Sequence, residues 1–230
     1  MYYNNEIISY LQANKILALN FDHAITSTGK LVIEQVDTIA AGATRALYYT
    51  SCFTDEYQDV CQRQKNEDIR FRKGITHLIQ CGGVVHDILK IYFEEVFKHK
   101  TSDQIEHIKH ILMALNIHIA ANSLTKAGFT LATATSVSIG MNLSLEMSTI
   151  AGRAAGIAAT VVGGYGIVQK ATDSAERLRI IYPAFFAALY TQELEMMYFM
   201  VEPVFERADA FSAQWASDEG IANIIEKMIG

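Results

Sequence analysis

AGFTLATATSVSIGMNLSLEMSTIAGRAAGIAATVVGGYGIVQ, residues 127 to 169, holds two charged side chains, Glu146 and Arg153, close to its middle. They divide it into an uncharged run of 19 residues from Ala127 and one of 16 from Ala154. A helix that crosses a bilayer needs about 20 apolar residues, with a range of about 17–25. Each run therefore stands near the lower limit. The pattern predicts a helical hairpin whose chain reverses between Glu146 and Arg153. Lys126 and Lys170 flank its open end, where cations could sit at headgroup level.

Of the 40 residues from Ala127 to Gly166, 24 are Gly, Ala, Ser or Thr. Water-soluble cores draw their burial energy from Leu, Ile, Val and Phe. Small residues instead let helix backbones approach closely, which is how helices associate in lipid. Every fourth position is small from Gly128 through Ala132, Ser136, Gly140, Ser144, Ser148, Gly152, Gly156 and Thr160 to Gly164, and Gly152 with Gly156 forms a GxxxG pair. Gly163 and Gly166 add to the count. Each such glycine weakens a free helix by about 1 kcal/mol relative to alanine. This stretch therefore needs neighbours, in a bundle or in an oligomer.

The flanking sequence supplies amphipathic helices. Ile7, Ile8 and Leu11, then Leu31, Val32, Val36, Ile39, Ala43 and Leu47, have helical spacing. Residues 54–72 read as a solvated, highly charged helix. Ile75 to Phe97 is amphipathic, with Gly82-Gly83 as a break. Thr101 and Gln104 have capping-box spacing and predict a helix running to about Lys126. Asp173 and Glu176 have the spacing of another helix start. Pro183 kinks or restarts the apolar run from Leu178 to Val201, whose uncharged part is too short to span a membrane. Trp215 lies near the start of a last amphipathic helix that ends at Met228. No alternating run with turn chemistry argues for strands. The expected class is all-α: a soluble helical bundle around a buried hairpin, in one domain over residues 1–230, with acidic helices over 171–230.

The net charge of −6 and the lack of a basic stripe argue against nucleic-acid binding. Asp and Glu outnumber Lys and Arg by 10 to 4 over residues 171–230, so the last quarter carries most of the negative excess. Cys52, Cys61 and Cys81 form an odd set without CxxC spacing, which suggests a reduced compartment in the producing cell. The opening residues, MYYNNEIISYLQANK, lack the basic and apolar regions of a signal peptide. Cytoplasmic storage followed by dedicated export is the expectation.

An all-helical domain that conceals an uncharged hairpin resembles the pore-forming domains of colicins. It also resembles the small ion-conducting antibacterial effectors delivered by type VI secretion. The resemblance rests on architecture and on residues 126–170. About 60 residues follow the hairpin here, whereas in colicins the hairpin lies near the C-terminus. The resemblance implies insertion into a target cell's inner membrane, loss of ion gradients, a cognate immunity protein and a possible homo-oligomer in the membrane. The residues expected to matter are Gly128, Gly140, Glu146, Gly152, Arg153, Gly156, Gly163 and Gly164.

No enzyme, cofactor or metal site is expected. His107 and His110, with Asp103 one turn earlier, have metal-compatible spacing but lack a full ligand set. Cys52, Cys61, His77 and Cys81 match no zinc module. Asp55-Glu56-Tyr57-Gln58-Asp59 matches the diphosphate-binding pattern of terpenoid synthases without the second motif. No P-loop, GxSxG, HExxH or dinucleotide fingerprint occurs. The competing expectation is a soluble helical interaction protein, such as a chaperone, adaptor or immunity protein, with a small-residue core.

Overall fold

In the computed structural model, residues 41–42, 44–46, 48–81, 83–115, 117, 119, 125–143 and 161–230 are described. Among them are eight α-helices, joined by 3₁₀ turns, and no strand: α1 (Gln58–Cys81), α2 (Val84–Phe97), α3 (Ser102–Ala114), α4 (Lys126–Leu143), α5 (Val161–Ile181), α6 (Pro183–Thr191), α7 (Glu202–Arg207) and α8 (Asp218–Ile229). Residues 41–42, 44–46 and 48 are helical as well. The class is all-α. The helices expected over residues 7–39 lie outside the described residues.

Several boundaries fall where local chemistry puts them. α1 ends at Cys81, and Gly83 stands at the N-cap of α2, so a glycine marks the expected break. Thr101 and Gln104 cap α3 reciprocally, each side chain bonding the other's backbone amide. Pro183 is the first residue of α6, where its missing N–H is no loss.

Two expected boundaries are corrected. α3 stops at Ala114 rather than near Lys126. The Ile117 amide bonds back to the Leu112 carbonyl at 2.9 Å, the six-residue closure of a Schellman-type stop. A new helix then starts at Lys126, where the Thr125 hydroxyl accepts from the Gly128 amide at 3.1 Å. No helix begins at Asp173. α5 runs straight through it, with Ala171, Thr172, Ser174 and Ala175 buried along its length. Capping spacing acts only where the chain leaves the helix, and burial of this face keeps it helical.

Internal contacts divide the chain into two compact units. The first comprises Met1–Ile69 with Arg153–Thr172, and the second Arg70–Gly152 with Asp173–Gly230. α1 and α5 each contribute residues to both.

In the first unit, a 3₁₀ turn (Tyr49–Phe53) and extended Thr54 reverse the chain ahead of α1. The Cα atoms of Cys52 and Cys61 thereby come within 4.9 Å, and the two sulfurs are bonded. The expectation of reduced thiols is thus corrected for this pair. An odd count hides a pairing that local chain reversal makes easy.

The second unit has an aromatic centre. Tyr92 lies edge-on to Phe93, Phe185 and Phe205, and Phe97 packs on Phe129. All six are fully buried. α2 packs on α4 and α6, and α8 packs on α3 and α4. The acidic last quarter is tied down in part by ion pairs: Arg177 to Glu202 at 2.7 Å, Lys100 to Asp218 at 3.1 Å, and Arg70 to Glu195.

Candidate membrane-insertion region

From Ala127 to Leu143, α4 carries no charged side chain, so nothing in its composition marks a face for water. Its surroundings nonetheless give it two faces. Phe129, Thr130, Thr133, Ala134, Val137, Ser138 and Met141 are buried. Ala127, Leu131, Thr135 and Ile139, one every fourth residue, point outward. Leu131 is 47% and Ile139 56% exposed.

The threonines add little polarity to that surface. Thr130 donates to the Lys126 carbonyl at 2.9 Å, Thr133 to Phe129 at 2.9 Å and Thr135 to Leu131 at 2.8 Å. Each hydroxyl is satisfied one turn back within its own helix. Polar groups satisfied in this way can enter an apolar medium without losing a partner. Within the outward row, Thr135 also meets another helix: the His86 Nε2 stands 3.2 Å from its hydroxyl. At the helix start, Lys126 donates to the Lys98 carbonyl at 2.9 Å.

The row of small residues lies between these faces. Gly128, Ala132, Ser136 and Gly140 are all half-buried. At Gly140 the need for smallness is concrete. A β-carbon there would stand 2.8 Å from Ile229 Cγ2, 2.9 Å from its carbonyl oxygen and 3.0 Å from its Cα. Two of these are backbone atoms, which cannot rotate aside, so any larger residue would have to push α4 and α8 apart at this crossing.

Gly163 and Gly164 lie in the first turn of α5, whose following residues, Gly166 to Gln169, are buried. Glu146, Gly152, Arg153 and Gly156 lie outside the described residues, and with them the expected chain reversal and the GxxxG pair. Among the described residues no helix is long and apolar enough to cross a membrane.

The end of the apolar part of α5 meets a group that the periodicity of the sequence does not announce. Arg45 is fully buried in the first unit. Its Nε and Nη2 donate to Asp68 Oδ1 at 3.0 and 2.6 Å, its Nη1 to Glu67 at 3.0 Å, and its Nη2 to the Gln64 carbonyl at 3.1 Å. The Tyr49 hydroxyl also donates to Asp68. On the α5 side, Arg45 Nη1 lies 3.4 Å from Gln169 Oε1 and 3.4 Å from Thr172 Oγ1. The available signal was the pair Glu67-Asp68 in a helix read as wholly solvated.

The other constellations resolve into ordinary surface pairs. His107 faces Asp218 at 3.3 Å, and His110 faces Glu106 at 3.4 Å. Cys52 and Cys61 are bonded to each other rather than gathered with His77 and Cys81. Among the described residues no three His, Cys, Asp or Glu side chains converge to hold a metal. Asp55 to Asp59 are all exposed.

No protein-family model, no curated protein and no solved structure matches the chain.

Proposed function

We propose that this protein permeabilises a target cell's membrane, inserting the stretch 127–169 from a folded storage form. The observation that carries the reading is the outward row of α4. A helix that serves only as a surface element in water presents charged or polar groups on its free side. Leu131 and Ile139 stand there instead, on a helix with no charge after Lys126 and with threonine hydroxyls folded back on its own carbonyls. Such a helix suits two environments: the aqueous fold, where one face is buried, and lipid, where both faces can be. Small residues fit the close helix contacts that association in lipid requires. Delivery by a dedicated secretion system, a homo-oligomer in the membrane and a cognate immunity protein belong to the same reading.

The test is release of potassium or a self-quenching dye from loaded vesicles on addition of the purified full chain. Rapid release supports the reading, and intact vesicles at micromolar protein refute it.

A second reading is an interaction protein that offers the α4 row to a partner helix. It is favoured by the lack, among the described residues, of a helix that meets the length and apolarity of a span. It is favoured too by the use of Gly140 in packing within the fold. Vesicles that stay sealed, with a stable complex formed through Leu131 and Ile139, would establish it.

A further inference from the structure

Trp215 is the sole tryptophan of the chain, and at 82% it is the most exposed large apolar side chain among the described residues. A single apolar side chain in water needs no explanation by itself. Trp215 is held there, however, and it stands in company. Its amide donates to the Ser212 carbonyl at 3.0 Å, closing the 3₁₀ turn Ala210–Gln214, whose Ala210 and Ala213 are buried. Two residues on, the Ser217 hydroxyl accepts from the Gly220 amide at 3.2 Å and caps α8. The backbone is thus fixed on both sides of an exposed ring, so little freedom is left to lose when that ring is covered.

The company is cationic. Lys100 donates to the Ala216 carbonyl at 3.4 Å and to Asp218 at 3.1 Å, which brings the turn between α2 and α3 beside the tryptophan. In the same turn His99 and Lys98 are exposed, and Lys98 faces Glu95 at 3.3 Å. Lys126, also exposed, donates to the Lys98 carbonyl at 2.9 Å, and no carboxylate among the described residues pairs with it. Asp218 and Glu95 therefore offset two of the three lysines, while Lys126 keeps its charge.

This corner is also the root of α4. Lys126 begins α4 and Asp218 begins α8, and further along Gly140 meets Ile229 at the other end of α8. The two helices run side by side from the corner, and the outward row of α4 sets out from it at Ala127. Tryptophan favours the membrane–water interface, where its ring meets acyl chains and its N–H meets headgroups. Lysine ammoniums on long stems reach phosphates from the same level. A protein pocket would take the ring alone, whereas an anionic bilayer takes the ring and the cation together.

We propose that Trp215, with Lys126 and Lys98 beside it, is the surface by which the folded protein docks on an anionic bilayer, setting the root of α4 at headgroup level. The proposal rests on the membrane-permeabilising reading, but docking is measured separately from permeabilisation.

Because Trp215 is the sole tryptophan, its emission reports on this corner alone. The full chain is mixed with vesicles of phosphatidylethanolamine and phosphatidylglycerol, or of phosphatidylcholine, and emission, co-sedimentation and dye release are followed. The emission is expected to shift to the blue on the anionic vesicles and to be quenched by brominated acyl chains. Trp215→Ala is expected to weaken co-sedimentation by roughly tenfold or more. Lys126→Gln should weaken it by about fivefold on the anionic vesicles. Both side chains are exposed, so both variants should keep the parent's urea midpoint. Absence of binding, equal binding to neutral vesicles, or a Trp215→Ala variant that binds like the parent overturns the docking surface. Binding or dye release with the parent's emission unshifted and unquenched overturns it too, and release in that case leaves the pore reading standing. Shifted, quenched emission on vesicles that stay sealed keeps the docking surface and removes the pore reading. The emission and quenching of the parent need no substitution, so they decide even where a variant fails to fold.

Discussion

Gly140 sets how closely α4 approaches α8, and two opposing effects meet there. Replacing glycine by alanine inside a helix ordinarily gains about 1 kcal/mol, because the unfolded chain loses freedom. Here the new methyl would stand 2.9 Å from the Ile229 carbonyl oxygen and 3.0 Å from its Cα. Backbone atoms cannot rotate aside as a side chain can, so the helices must separate. Overpacking of this kind costs typically about 1–3 kcal/mol. Gly140→Ala is therefore expected to be destabilising by about 1–2 kcal/mol net, read as a lower urea midpoint at unchanged slope. A neutral or raised midpoint would mean that the helices part freely at this crossing. Smallness was legible at Gly140 from composition. Its partner was not, since a tight crossing depends on a residue nearly ninety positions away in the chain. The charged run ahead of Ile75 misled in the same way. Glu67 and Asp68 read as solvated charge until the fold brings Arg45 to them.

At the scale of the element, the helices that carry their own punctuation were legible. The capping box at Thr101, the Gly82-Gly83 break and Pro183 act on the nearest turn of backbone, and local chemistry suffices to read them. α4 shows the opposite case. A helix without charge has no polar side for periodicity to find, and its two faces are assigned by α2 and α8 packing against it. The outward row follows from those neighbours. It can be tested by giving it a charge. Ile139 is 56% exposed, so Ile139→Arg should fold with a change within about 0.5 kcal/mol, as surface substitutions usually do. In a bilayer the same arginine costs about 3 kcal/mol near a helix centre. Dye release from vesicles should then fall by about a hundredfold, with circular dichroism and urea midpoint unaltered. Release that survives in a folded variant would remove α4 from the inserting stretch. The reversal expected at Glu146–Arg153 lies outside the described residues.

At the scale of the whole molecule, the aromatic centre of the second unit ties folding to alkaline pH. Burial pushes the Tyr92 hydroxyl well above the usual tyrosine range, with Tyr182, Tyr198 and Asp209 adding to it. Burial, then Glu95, pushes Tyr182 up to about 12. Tyr198 is raised by burial first, then by Glu202 and Glu206. In an unfolded chain all three would ionise near pH 10. Their folded values are higher, so the folded state holds protons that the unfolded state has released. The stability linked to them is fully present below about pH 10 and declines as pH rises towards and through the folded values. The expected outcome is cooperative loss of helicity in alkali, with tyrosinate absorbance of the buried rings appearing together with unfolding. Two substitutions separate the hydroxyls from the rings. Tyr92 donates to the Ala210 carbonyl at 2.7 Å, so Tyr92→Phe removes a buried hydrogen bond and should cost about 1 kcal/mol at neutral pH. The Tyr198 hydroxyl is buried without a hydrogen-bond partner among the described residues, while its ring lies edge-on to Phe185 and Phe205. Tyr198→Phe keeps those ring contacts and removes an unsatisfied group, so at neutral pH it should be neutral or stabilising. Both variants should lose less stability than the parent between neutral pH and about pH 11, because each removes one of the linked protons. Urea midpoints at the two pH values measure all of this. If Tyr198→Phe unfolds more readily than the parent at neutral pH, its hydroxyl has a partner after all, and the reading of that buried group is wrong.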